Sequence, residues 1–80
     1  MNKYKCLKCK EISNSDEWNN YSKERNKYAV KNGLYIDIDY VFDNKVEDDN
    51  FKYNCPKCNS ICFTNIRYGL GRYGKHIEKV

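Results

Sequence analysis

Four of the five cysteines in this 80-residue chain fall into two pairs of one spacing, Cys6-Leu7-Lys8-Cys9 and Cys55-Pro56-Lys57-Cys58. Two thiols separated by two residues can turn both sulfurs inward on one ion, and the tight turn aims backbone N–H groups at them. A zinc ion takes four ligands in a tetrahedron at roughly 2.3 Å from sulfur, and two such pairs supply them with no open position. A closed shell of this kind implies a structural ion. Pro56 fixes φ as the chain enters the second turn. The residue after each pair sits where a left-handed backbone helps. Asn59 tolerates that conformation and Lys10 less so, which makes the first knuckle the looser of the two.

These paired knuckles resemble the zinc-ribbon family and, more distantly, the rubredoxins. The resemblance covers Cys6, Cys9, Cys55 and Cys58 with their turns, and it implies one structural Zn²⁺ held by those four residues. It leaves the process open, since zinc ribbons serve transcription, translation, replication and many small adaptors. The rubredoxin likeness rests on the Cys-Pro-x-Cys second half and implies iron and electron transfer. The glycines usual after rubredoxin knuckles are missing here. Thiol redox chemistry is a third reading, but it needs a βαβ context and a helix starting at the first cysteine. The stretch after Cys58 reads as a strand instead. The 45 residues between Cys9 and Cys55 exceed the usual ribbon spacing, so a separate element must be inserted between the knuckles.

Two further residues could ligate a metal. Cys62, between Ile61 and Phe63, reads as a buried core thiol or as an alternative ligand. His76, the single histidine, reads as a surface or loop residue or as a substitute for one cysteine.

A chain this short, read as one domain over residues 1–80, buries only about 60–65% of its unfolded surface, so a metal or a partner usually helps. An odd cysteine count with paired knuckles argues for a reducing compartment over a disulfide scaffold. Met1-Asn2-Lys3-Tyr4-Lys5 has no apolar h-region and no stretch approaches the ~20 apolar residues of a membrane span, so a cytoplasmic protein with no membrane partner is expected.

The formal charge is +4, and four thiolates with one Zn²⁺ add −2, leaving about +2. The distribution says more. Residues 1–31 carry eight basic and four acidic side chains, residues 37–49 one basic and six acidic, and residues 50–80 six basic and one acidic. The ends are basic, the middle is acidic, and the knuckles bring the ends together. The richness in Asn, Lys, Ile and Tyr fits AT-rich codons, as in a low-GC bacterium, its phage or a large DNA virus.

The expected fold is a small α+β metal-stabilised domain, a zinc-ribbon-like antiparallel sheet of about three strands with one helix inserted between the knuckles. Tyr4–Leu7 reads as a strand. Ser13 with Asp16, or Asn14 with Glu17, forms a capping box for a helix over 15–31 that presents Trp18, Tyr21, Tyr28 and Ala29 on one face. Asn32-Gly33 reads as its end. A hairpin turn there would give a poor apolar face. Leu34–Asp43 alternates as a strand, with Ile36, Ile38, Tyr40 and Phe42 on one side. Phe51–Asn54 and Ser60–Tyr68 read as the strands flanking the second knuckle, and these last three strands as one sheet. Lys75–Val80 reads as an edge strand or a disordered end.

Two patches could carry function. Arg67-Tyr68-Gly69-Leu70-Gly71-Arg72-Tyr73-Gly74 repeats Arg-Tyr-Gly, and Lys75 follows. Arginine forks onto phosphate and tyrosine stacks on bases, so Arg67, Tyr68, Arg72, Tyr73 and Lys75 are the candidate contacts for nucleic acid or a nucleoprotein complex. Alternatively they decorate a glycine-rich turn. Asp37 and Asp39 would share a strand face about 7 Å apart, and with Asp48 and Asp49 they could imitate a phosphate backbone. The chain would then be a phage or viral inhibitor that docks on a host nuclease or CRISPR-type defence complex. The bland alternative is a solvated acidic face. No Ser/His/Asp arrangement and no phosphate-cradling loop is visible, so a non-enzymatic protein is expected.

Overall fold

Each Cys-x-x-Cys pair turns at the tip of a β-hairpin. In the computed structural model, which describes residues 2–80, β1 (Lys3–Cys6) enters the first pair and β2 (Ile12–Asn14) leaves it. Between the hairpins lie α1 (Ser15–Arg25), α2 (Lys27–Lys31) and α3 (Ile38–Asp43). Then β3 (Lys52–Asn54) enters the second pair and β4 (Ile61–Phe63) leaves it, followed by β5 (Ile66–Gly69), β6 (Arg72–Gly74) and β7 (Ile77–Lys79).

The two hairpins share one register. Lys5 pairs with Ile12, Tyr4 with Ser13 and Lys3 with Asn14. Asn54 pairs with Ile61, Tyr53 with Cys62 and Lys52 with Phe63. Counted from the first cysteine of each pair, the partners fall at the same offsets. The sequence repeats accordingly, since Lys3/Lys52, Tyr4/Tyr53, Cys6/Cys55, Lys8/Lys57 and Cys9/Cys58 are identical pairs. The repeat therefore reaches beyond the cysteines.

One helix ties the two hairpins together. Asn14 and Glu17 form the capping box of α1, with Glu17 N donating to Asn14 Oδ1 at 2.9 Å and Asn14 N to Glu17 Oε1 at 3.2 Å. The buried stripe of α1 is Ser15, Trp18, Asn19 and Ser22, at helical spacing. Trp18 Nε1 donates to the Tyr4 carbonyl of the first hairpin (3.2 Å). One turn on, Ser22 Oγ accepts from Asn54 N of the second hairpin (2.9 Å) and donates to its carbonyl.

The inserted segment departs from the sequence expectation. The single helix over 15–31 breaks at Asn26 (φ −134°, ψ 52°), and α2 beyond it buries no side chain. Asparagine is a poor interior helix residue. Trp18 is buried as expected, while Tyr21 is only half-buried and Tyr28 is exposed, because small polar residues take the inward positions. Asn32-Gly33 does end a helix, with Gly33 at φ 68° and Leu34 N bonded to the Ala29 carbonyl.

The expected strand over Leu34–Asp43 does not form, and its second half is α3. Asp37 Oδ1 accepts from Asp39 N at the helix start, and Asn19 Oδ1 accepts from Ile38 N. Ile38 and Val41 are buried with Phe42 half-buried, a three-and-four spacing that overrides the alternation of Ile36, Ile38, Tyr40 and Phe42. Ser60–Tyr68 is likewise not one strand. Thr64 Oγ1 donates to the Asp49 carbonyl and accepts from Phe51 N, and Asn65 Nδ2 reaches the Asp48 carbonyl, so these side chains bend the chain between β4 and β5.

The strands form three sheets in place of the one expected, namely β2-β1-β7, β3-β4 and β5-β6. β7 is the terminal edge strand, pairing Cys6 with Ile77 and Tyr4 with Lys79. Just before it, His76 N donates to the Phe63 carbonyl (3.0 Å) and its carbonyl accepts from Leu7 N (2.8 Å), which joins the hairpins a second time. Tyr4, Trp18, Ile38, Val41, Tyr53 and Ile77 form the core with Cys6, Cys55 and Cys62.

Trp18 is fully buried and bonded to the first hairpin. Trp18→Ala should destabilise the metal-loaded chain by about 3–5 kcal/mol in urea unfolding, while the exposed Glu24→Ala should stay within about 0.5 kcal/mol.

Candidate metal centre

The two knuckles have one backbone geometry. Cys6 N donates to the Glu11 carbonyl (2.9 Å) and Lys10 N to the Cys6 carbonyl (2.7 Å). In the second, Cys55 N donates to the Ser60 carbonyl (3.0 Å) and Asn59 N to the Cys55 carbonyl (2.9 Å). Lys10 (φ 71°) and Asn59 (φ 61°) are both left-handed, the conformation expected after each pair, and the lysine carries the larger strain. Cys9 N points at Cys6 Sγ (3.4 Å) and Lys57 N at Cys55 Sγ (3.3 Å).

These turns bring Cys6, Cys9, Cys55 and Cys58 together, with all four sulfurs within 4.8 Å of one another. Two contacts run between the hairpins, Cys6 to Cys58 at 3.8 Å and Cys9 to Cys55 at 3.7 Å. A zinc tetrahedron with Zn–S of roughly 2.3 Å has S···S edges of about 3.8 Å, so the spacing fits one metal ion. The first sulfur of each pair meets the second of the other, as the repeat requires.

Cys6 and Cys55 are buried, Cys9 is half-buried and Cys58 is exposed. Burial pushes the Cys55 thiol up to about 12, whereas hydrogen bonding from Ser60 pulls Cys58 down to about 6. A metal therefore has to displace a proton at Cys55, and affinity should rise with pH.

Neither reserve ligand joins the four. Cys62 is the buried thiol expected of it. Its Sγ lies 3.8 Å from Cys6 Sγ, and its S–H faces the Ser60 carbonyl at 3.6 Å. His76 is half-buried in the loop before β7, where Nδ1 accepts from Phe63 N at 3.3 Å. Burial and the nearby Lys8 charge lower its pKa.

The two candidate patches are arranged differently from their sequence order. Arg67, Tyr68, Arg72 and Tyr73 lie on the β5-β6 hairpin, whose turn places Leu70 (φ 51°) and Gly71 (φ 73°) in the left-handed region. Arg67 pairs with Tyr73, its guanidinium 5.9 Å from the ring centroid. Alternation along β6 puts Arg72 and Gly74 on the opposite face, and Tyr68 stands at a bulge between Arg67 and Gly69. There Tyr68 packs on Gly74, where an added Cβ would lie 2.6 Å from the ring. Lys75 is exposed beyond β6.

Asp37 and Asp39 do not share a strand face, because no strand forms there. Asp37 caps α3 and accepts from Asn19 Nδ2 (3.0 Å), and Asp39 accepts from Tyr4 OH and from Asn2 Nδ2 (3.1 Å). Asp48 and Asp49 are exposed in the loop before β3, and Asp48 lines a depression of about 400 Å³ with Asn65, Arg67 and Tyr73. The acidic loop and the basic hairpin thus meet. Among the described residues no helix is long and apolar enough to cross a membrane.

The chain matches no protein-family model, no curated protein and no solved structure.

Removing the metal with a strong chelator should unfold both knuckles, because binding free energy of the order of 10 kcal/mol is here folding free energy. Far-ultraviolet dichroism and amide exchange at Lys10 and Asn59 would report it, and unchanged protection would contradict a structural role for the ion. A second test concerns His76. Its folded pKa lies below the unfolded value of about 6.5, so the unfolded chain takes up the proton first and stability falls as pH drops below about 6.5. His76→Asn keeps an acceptor near Nδ1 without the titration. Its melting temperature should gain on the wild type between about pH 7.5 and 5.5 in excess zinc, where thiolate protonation affects both alike.

Proposed function

We propose that the chain is a small non-enzymatic zinc-binding protein in which Cys6, Cys9, Cys55 and Cys58 hold one structural Zn²⁺. The convergence of four thiols at tetrahedral spacing carries this reading. Four protein thiolates fill the shell of a zinc ion, and a filled shell has no room for substrate or for metal-bound water. Iron would accept the same four sulfurs and make the protein an electron carrier. Elemental analysis of protein purified without added metal separates the two, with one zinc per chain expected and stoichiometric iron overturning the assignment. None of the five cysteines is joined in a disulfide, which suits a reducing, cytoplasmic setting.

The metal-held scaffold presents the β5-β6 hairpin to nucleic acid or to a nucleoprotein complex. Arg67, Tyr68, Arg72 and Tyr73 are all exposed on it, and Lys75 adds a third cation. Arg67 and Tyr73 offer a cation and a ring on one face, and Tyr68 and Arg72 offer the same on the other. Such pairs bind phosphate and stack on unpaired bases with little sequence preference. Asp48 beside Arg67 weakens the field on the first face, so Arg72 and Lys75 carry more of the phosphate contact.

Fluorescence anisotropy with a labelled single-stranded oligonucleotide tests this. Arg72→Ala should weaken binding and reduce the slope of log K against log salt by about 1. An interaction insensitive to salt and to this substitution would refute it.

A further inference from the structure

Three sulfurs stand in sequence at the centre, one more contact than a metal site needs. Cys6 Sγ is 3.8 Å from Cys58 Sγ and equally 3.8 Å from Cys62 Sγ. Cys58 is exposed, whereas Cys6 and Cys62 are both 0% exposed. Cys62 therefore sits in the second hairpin as a buried thiol facing a ligand of the first.

The internal repeat shows that packing alone does not call for sulfur at this place. Cys62 lies opposite Tyr53, and its counterpart in the first hairpin, opposite Tyr4, is Ser13. Ser13 is buried as well, and its hydroxyl has no hydrogen-bond partner. The same hairpin position thus accepts a hydroxyl, and only the second hairpin carries a thiol there.

We propose that Cys58, Cys6 and Cys62 form a thiol relay that converts a hydroperoxide signal into a buried Cys6–Cys62 disulfide. The exposed Cys58 thiolate attacks the peroxide, the O–O bond breaks, an alkoxide leaves and is protonated, and Cys58 becomes a sulfenic acid. Cys6 sulfur attacks Cys58 sulfur and expels hydroxide, which takes a proton to become water. Cys62 sulfur then attacks Cys6 sulfur and expels Cys58 as a thiolate, which receives the Cys62 proton. In sum, Cys6 and Cys62 give up two electrons to the hydroperoxide, which becomes an alcohol and water; from the metal-bound state Cys62 supplies one proton, to Cys58, and solvent supplies the two that the alkoxide and hydroxide take. Cys6 ceases to be a ligand, so the metal is released. The disulfide joins the same two hairpins that the ion joined, and regenerated Cys58 remains exposed to attack the bond again under reducing conditions.

The relay rests on the zinc reading only for what is released, because the disulfide is read independently. The experiment treats the zinc-loaded chain with hydrogen peroxide and follows metal release with a chromogenic chelator. Remaining thiols are alkylated in denaturant and the disulfides mapped by peptide mass. The expected result is zinc release in step with a Cys6–Cys62 disulfide, Cys58 alkylated, and full zinc rebinding after dithiothreitol. Cys62→Ser should halt at a Cys6–Cys58 disulfide, or at overoxidised Cys58, which dithiothreitol does not reverse. Cys62→Ala repeats the test should the serine variant fail to fold. Wild type in which Cys62 is alkylated after zinc has left overturns the proposal, as does a Cys62 variant that releases zinc like wild type with neither a Cys6–Cys58 disulfide nor overoxidised Cys58. If the purified chain holds no zinc, a Cys6–Cys62 disulfide formed in the metal-free chain upholds the relay while the zinc reading falls. Its absence there ends both.

Discussion

Four sulfurs from two separate hairpins must meet within a few ångströms, and every other element serves that meeting. Cys6 touches Cys58 and Cys9 touches Cys55, so neither hairpin closes the shell alone. The core that surrounds them is small, and three of its nine buried members are themselves cysteines. An 80-residue chain with so little apolar interior gains much of its cohesion from whatever bridges those thiols.

Protein contacts prepare the same approach. α1 spans from the Tyr4 carbonyl to the Asn54 backbone within one helical turn, through Trp18 and Ser22. His76 makes the second bridge, with its backbone and ring reaching Phe63 on one hairpin and its carbonyl meeting Leu7 on the other. Both bridges use polar groups buried against backbone. They specify geometry more than they add stability, since a buried hydrogen bond contributes about 1 kcal/mol net.

The metal centre was legible because two-residue cysteine spacing constrains both the turn and the ligand set. The capping box, the helix stop at Gly33 and the strands entering each knuckle were legible for the same reason, each being decided by local chemistry, whereas the strand leaving the first knuckle was not foreseen and the one leaving the second was read too long. The middle was not. Leu34–Asp43 alternates in hydropathy, and its helix is set by Asn19, which lies eighteen residues before Asp37 and receives the Ile38 N–H. On the inward face of α1 only Trp18 was foreseen, because two serines and an asparagine occupy the rest and apolar periodicity cannot register them. The repeat of Lys-Tyr-x-Cys-x-Lys-Cys was present in the sequence throughout, and would have announced two equivalent hairpins and the kinship of Ser13 with Cys62.

The equivalence of the hairpins also bears on how the chain closes. Either knuckle can seize an ion with two thiolates by itself, and the remaining step is to close the 45-residue span between them. The entropy of that closure grows only with the logarithm of the span, so ten added residues would cost about 0.2 kcal/mol. Within the segment from Asp43 to Asn50, whose first half bonds back to α3, the exposed stretch Asp48–Asn50, met by the Thr64 and Asn65 side chains, is thus a place where length is nearly free. Insertions there would change what the molecule displays and leave the two hairpins to find each other as before.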